Sequence, residues 1–481
     1  MKARIFAQEN RKWWTLAAVS VGLFMIMLDN TIVNVALPTI ERSLHLQVSE
    51  LEWIVTGYAL TFGALLLTGG KLADLFGRRL VFVVGLVIFT ASSLACGLAG
   101  SATVLIAARV VQGIGAALMN PSTLSIITVT FPPRQRGTAI GIWAGVSALA
   151  LAIGPLTGGL ISEHLNWSWI FFINVPIGVI GVLGAFAFID ESRDTSLEQR
   201  PDLPGLFTSA LGLFSLSYAL IEANTYGWTS ARIVGAFALA AVSLATFVLL
   251  ELHQRLPMLD LSLFRNRGFA GANAVMLFVG LAMFGVFFYV SLYVQQILGY
   301  SPTQAGASFL PWTMLIILLA PVAGKFSDRI GPRPFVVTGM VIITGSLVLF
   351  ARMGVHESFW GLLPAMILGG IGMSLAMAPT TAAAMSSVQA DKAGVGSAVL
   401  NSMRQVGGSL GIAIMGAIVA AGVSSSLGAG HPEPLAFLNG FHHALQVGAV
   451  ITFAGAVVAA GTLRDARHRA EPVVASELEA A

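Results

Sequence analysis

Gly70-Lys71-Leu72-Ala73-Asp74-Leu75-Phe76-Gly77-Arg78-Arg79 returns 254 residues later as Gly324-Lys325-Phe326-Ser327-Asp328-Arg329-Ile330-Gly331-Pro332-Arg333, with five of ten positions identical. Each copy stands between two apolar runs long enough to cross a bilayer, so each is read as a short loop joining two transmembrane helices. A second echo follows at nearly the same offset: Gly113-Ile114-Gly115 with Leu118 and Pro121 reappears as Gly370-Ile371-Gly372 with Leu375 and Pro379. The repeating unit is therefore six helices long, and the chain is built from two related halves.

Working outward, the 481 residues are 56% hydrophobic and 10% charged, with a mean hydropathy of +0.83, whereas soluble domains carry about a quarter charged residues. A span needs roughly 20 mostly apolar residues. Fourteen segments qualify, starting near Thr15, Leu51, Val81, Ala102, Thr138, Phe171, Leu206, Arg232, Gly268, Ala305, Phe335, Gly361, Gly396 and Phe441. The runs are too long for barrel strands of about 9–11 residues. The expected fold is an all-α polytopic membrane protein: two pseudo-symmetric six-helix bundles plus two inserted helices. Spans one to six (1–189) match spans nine to fourteen (268–463). Between them, 190–267 holds a linker and the two inserted spans, bounded by the polar stretches Asp190 to Pro204 and Glu251 to Arg267, and 464–481 is a tail.

The formal net charge of +3 comes from basic residues in short clusters between apolar runs, not from one patch, which argues against a nucleic-acid partner. With a cytoplasmic N-terminus, 21 Lys and Arg fall on that side and only Arg42, Arg232 and Arg352 on the other. The asymmetry places both termini in the cytoplasm of a bacterial inner membrane and supports an even number of spans. Trp13, Trp14, Trp53, Trp167, Trp169, Trp228 and Trp360 fall at expected helix ends, with Trp143 and Trp312 within about two turns, and read as an interfacial aromatic belt. The first apolar run is interrupted by Asp29-Asn30 and followed by Pro38, so it reads as a retained span, not a cleaved signal. Cys96, alone in the sequence, permits neither a disulfide framework nor a cysteine metal site.

Three further motifs join the loop at Gly70 to Arg79 and make the pattern specific: Leu28-Asp29-Asn30-Thr31-Ile32-Val33-Asn34-Val35-Ala36-Leu37-Pro38 in span one, Arg109-Val110-Val111-Gln112-Gly113-Ile114-Gly115 in span four, and Gly154-Pro155 with Gly158-Gly159 in span five. With these the chain resembles the major facilitator superfamily over nearly its whole length, in the fourteen-span drug:proton antiporter branch (QacA/EmrB-like). Leu75 stands where the loop often has a basic residue, and Ser168 where Arg often lies between two Trp. The resemblance implies that the span-one acid and the span-four arginine belong to proton coupling. It also implies that the Gly-Pro pattern on span five marks an exporter.

An ionised side chain in a bilayer core costs roughly 2.5–3.5 kcal/mol on insertion scales, so each one invites a functional reading. Asp29 lies nine residues before Pro38, and Arg109 about seven residues into span four, which runs inward from the same face. At 1.5 Å per residue their depths agree within about 3 Å, so the two side chains can meet. Exclusion of water favours the neutral acid and the guanidinium favours the carboxylate, which makes the pair a candidate proton switch. A static ion pair tying spans one and four together is the alternative. Met366 stands where the repeat would place a second Arg109, so the fold does not need this charge in both halves.

Arg404, with Asn401, Gln405, Gly407 and Gly408, is a second cation inside span thirteen and is assigned to state control or to plain structural bonding. State control is also expected of Gly154, Pro155 and Gly158, where small residues and a missing backbone donor allow close approach and a bend. The loop residues Asp74, Arg78, Arg79, Asp328 and Arg333 join them, the acids capping a neighbouring helix and Arg79 and Arg333 facing the inner leaflet. Phe284, Phe288, Ser291 and Gln295 share one face of span nine and, with Asn34 and Glu222, are the candidate cargo contacts.

Gly70-Lys71 lacks the remainder of a phosphate-binding loop, which excludes ATP as the fuel. No intramembrane acid–base pair or metal cluster suggests an enzyme, so neither catalytic nor metal-binding residues are expected. The expectation is a monomeric, proton-coupled antiporter without a cofactor, exporting small lipophilic, cationic compounds by alternating access in contact with membrane lipid. The alternatives are a proton-coupled symporter or an exporter of one specific metabolite on the same fold. Whether periplasmic or outer-membrane proteins join it, the sequence leaves open.

Overall fold

In a computed structural model of the chain, residues 8–193, 202–254, 257, 259–388 and 393–463 are described, apart from the side chains of 8, 9, 133, 134, 137, 328, 393 and 394. Without water to solvate it, the backbone of each apolar run closes its own hydrogen bonds as a helix. Among the described residues, fourteen helices are long and apolar enough to cross a membrane: spans one to six are Asn10–Leu44, Val48–Phe76, Arg78–Gly97, Ala102–Thr130, Thr138–His164 and Trp169–Phe188. Spans seven and eight are Leu203–Tyr226 and Ala231–His253. Spans nine to fourteen are Arg267–Ile297, Pro302–Ser327, Pro332–Phe350, Phe359–Ser386, Val395–Gly428 and Glu433–Thr462. This is a multi-pass membrane protein, and no strand occurs among the described residues.

The repeat seen in the sequence has a packing counterpart. A side chain at Gly115 would strike the span-three backbone at Gly85 and Phe89, and one at Gly372 would strike Gly339 and Ile343 of span eleven. Both glycine pairs let two helix backbones touch, so the three-helix core of spans two, three and four is rebuilt in spans ten, eleven and twelve. The loop signatures also turn alike, with Gly77 at φ +119° and Gly331 at φ +107°, a region that favours glycine. Span seven lies against spans two and thirteen, while span eight packs mainly on span seven. Asn224 fixes the insertion by donating from Nδ2 to the carbonyl of Ala417 at 2.8 Å.

Among the described residues, the hydrogen bonds joining the two halves lie at mid-depth or toward the end opposite the termini. Glu163 accepts from Ser301 Oγ at 2.7 Å and Thr303 N at 2.9 Å, and Gln296 donates to Glu41 at 2.5 Å. At the end carrying the termini, side chains added at Gly141 and Gly145 would meet nothing within 4 Å, and Ile142, Val322 and Phe326 are exposed. Among the described residues the bonds between the halves close the far end, and none joins the halves at the terminal end, which is parted in this sense.

The aromatic belt needs one correction. Trp312 is fully buried against Gly369 and Gly370 and stacks edge-on to Phe287, so it is a core residue and not an interfacial anchor. Its ten-residue distance from the start of span ten carries it below the interface.

Candidate functional site

Asp29 and Arg109 meet. Arg109 Nη1 donates to Asp29 Oδ2 at 2.5 Å and to Gln112 Oε1 at 2.8 Å, while Gln112 Nε2 donates to Asp29 Oδ1 at 3.1 Å. Gln112 follows Arg109 by three residues, which puts both on one face of span four. Arg109 Nε reaches across to the carbonyl of Ile54 at 3.0 Å, and the guanidinium lies 4.2 Å from the centroid of the Tyr58 ring. Cys96 closes the cluster by donating from Sγ to Gln112 Oε1 at 3.7 Å. Asp29 and Arg109 are each 1% exposed, so ions that would be costly alone are held by mutual charge and a ring of hydrogen bonds. A proton added to Asp29 would remove the charge that binds Arg109, so loading and unloading it must rearrange this ring.

Gln112 has no role assigned from the sequence, although its spacing three residues after Arg109 is the signal that places it on the same face. A second acid was missed outright. Glu52 is 3% exposed, accepts from Tyr289 Oη at 2.6 Å, and fills the space that a side chain at Gly416 would need. It sits four residues into span two, where sequence reasoning places acids in headgroup water; the facing half buries it. Neighbouring Glu222 is half-buried and accepts from Trp53 Nε1 at 3.4 Å.

The candidate cargo face of span nine is occupied differently. Ser291 donates to the carbonyl of Asn34 at 2.9 Å, and Gln295 Nε2 donates to the carbonyl of Val35 at 2.9 Å. Phe284 abuts Gly408 of span thirteen, and Phe288 is fully buried beside Tyr289. In this conformation Ser291 and Gln295 lie in the seam between the halves, and Phe284 packs within its own half against span thirteen. Helical periodicity revealed the face but not what covers it. Asn34 itself is 3% exposed and donates to the carbonyl of Asn30 at 3.0 Å.

On span five, side chains at Gly154 and Gly158 would collide with Thr31 and Ile32 of span one, and one at Gly159 with the carbonyl of Pro302. Gly306 of span ten meets the Pro155 carbonyl in return. The Gly-Pro segment is thus where span five touches both its own half and the opposite one. In the loop, Asp74 does not cap a helix: it accepts from Arg78 Nε at 3.0 Å and Nη2 at 2.9 Å, one turn along. The cap comes from Glu191, whose carboxylate accepts from the backbone N of Arg79 and Leu80, each at 3.1 Å. Arg79 donates from Nη1 to the carbonyl of Ile189 at 3.2 Å and remains about a third exposed. The residues flanking Gly77 could not reveal a partner 112 positions away. Arg333 is exposed, and the side chain of Asp328 lies outside the described residues. Arg404 is 8% exposed on span thirteen.

Residues 19–412 match the Major Facilitator Superfamily. The chain belongs to the major facilitator superfamily. It is therefore a transporter and not an enzyme, and its fourteen spans fit the drug:proton antiporter branch. Among its major facilitator relatives is the tetracenomycin C resistance and export protein of Streptomyces glaucescens, 37% identical over 86% of this chain and 77% of that protein. The puromycin resistance protein pur8 of Streptomyces alboniger is 34% identical over 94% of this chain and 90% of its own length. The crystal structure of an auto-inhibited POT family peptide transporter superposes with a TM-score of 0.69 at 17% identity, covering 97% of this chain and 98% of that one, which shows the shared fold.

Proposed function

We propose that this protein is a proton-driven exporter of small lipophilic compounds, working by alternating access in a bacterial cytoplasmic membrane. The observation that carries the reading is the sealed Asp29–Arg109–Gln112 ring, the one ion pair among the described residues with both side chains buried from water. Such a ring has two arrangements, one for the carboxylate and one for the neutral acid. Cargo and proton use the same protein in turn. Each proton entering down 100 mV supplies about 2.3 kcal/mol, so no cofactor is called for. Export as the direction is supported by relatives named for resistance and export.

The 21-to-3 bias of basic residues puts the termini in the cytoplasm, which makes the parted end the cytoplasmic one. The conformation is then inward-facing, ready to load cargo from the cytoplasm or the inner leaflet, and the Glu52–Tyr289 and Glu163–Ser301 contacts hold the outer end shut. The test is efflux of a fluorescent lipophilic dye from cells overproducing the protein. Lower accumulation that a protonophore reverses supports the reading; higher accumulation would mean an importer.

A further inference from the structure

Arg404 makes no hydrogen bond and no ion pair among the described residues, although 92% of its surface is buried. Its Nε is inaccessible and unpartnered, and the same holds for both amide atoms of neighbouring Gln405, for Ser402 Oγ, and for Tyr58 Oη on the facing span two. The Arg404 backbone lies against Gly280 of span nine and its side chain is close enough to Tyr58 for the two to interact electrostatically, while Ser402, Gln405 and Val406 pack on Gly63, one to two turns along span two from Tyr58. Glycines fix the rotation of span thirteen that aims them there. Side chains at Gly407 and Gly411 would strike the carbonyls of Leu277 and Leu281, so spans nine and thirteen lie backbone to backbone. The contrast with Arg109 is direct, since that arginine has Asp29, Gln112 and Ile54 as acceptors.

A buried guanidinium offers five N–H donors and no acceptor, and leaving it without partners is costly. We infer that Arg404, with Gln405, Ser402 and Tyr58, forms a binding site for an acceptor oxygen on the cargo, a carboxylate or an ionised phenol or enol. The inference rests on the exporter reading and narrows its cargo. Planar delocalised oxygens match the guanidinium fork, whereas a permanent cation would be repelled from this position. Arg404 lies about eleven residues from the parted end of span thirteen, so cargo entering there reaches it before the closed end. Tyr58 also lies beneath Arg109, so a group bound in this seam touches the wall of the Asp29 ring.

The test is equilibrium binding to the purified full-length protein, read by fluorescence anisotropy with fluorescein and with a cationic rhodamine of similar size. Wild type is expected to bind fluorescein. Arg404→Gln should weaken that binding by about tenfold or more, in keeping with loss of a charge-assisted contact. Arg404→Lys should restore much of the loss, and Tyr58→Phe should weaken binding by about threefold. Rhodamine binding should stay within about twofold across these variants, which also shows that they are folded. Failure of wild type to bind fluorescein, or equal loss for both dyes in Arg404→Gln, would overturn the site. Protonophore-sensitive efflux of rhodamine, with fluorescein binding unchanged in Arg404→Gln, would leave the exporter reading standing while the site falls.

Discussion

At the scale of single residues, Asp29, Arg109 and Gln112 make a ring in which both carboxylate oxygens and the guanidinium Nε and Nη1 have partners, and removing one residue leaves the others stranded. Asp29→Asn should reduce proton-driven efflux to background while the protein still inserts, measured in inverted vesicles. Gln112→Leu removes a donor and an acceptor together, so it should destabilise the ring by about 1–3 kcal/mol and lower the melting temperature of the purified protein. An unchanged melting curve would mean that the ring is not tight. Glu52 tests the opposite end. Tyr289→Phe deprives its carboxyl of the 2.6 Å bond that crosses the halves. The far end should then open more often. A cysteine placed at Ala305, fully buried in the closed seam, should react with an impermeant thiol reagent about fivefold faster or more, given the usual worth of such a bond. Native Cys96 is also fully buried and gives little background. The Asp29–Arg109 contact was legible because two lone charges in apolar runs share a depth. Glu52 was not, because an acid near a helix start looks solvated until the facing half is present.

At the scale of elements, glycine decides which helices touch through backbone atoms. Gly411→Val would place a methyl group against the Leu281 carbonyl and force spans nine and thirteen apart, with overpacking that typically costs about 1–3 kcal/mol. Lower thermal stability in detergent together with lost efflux is expected; wild-type stability would contradict the packing. The turn at Gly77 makes a gentler case. Glu191→Ala removes the cap on the first turn of span three, worth about 1 kcal/mol, and should slow transport more than it lowers yield if this loop participates in state change. Span number and order were readable from apolar runs, basic loops and the repeat, since the bilayer requires both length and internal hydrogen bonding. Rotation about each helix axis was not readable. Ser291 and Gln295 share the predicted face of span nine, yet the carbonyls of Asn34 and Val35 cover it, and no property of span nine alone reports that.

At the scale of the whole molecule, two related halves meet along spans one, two, five, nine, ten and thirteen, shut at one end and parted at the other. Rocking about this seam would exchange the ends, and the two unlike charged centres on it give the exchange its chemistry: a hydrogen-bonded ion pair at Asp29 and a cation without a bonded partner at Arg404. The most direct measurement uses purified protein in liposomes with a trapped pH-sensing dye. A cargo gradient imposed across wild-type vesicles should drive protons the opposite way, whereas vesicles carrying Asp29→Asn should bind cargo yet move no protons. Proton movement of equal size in both would contradict the account.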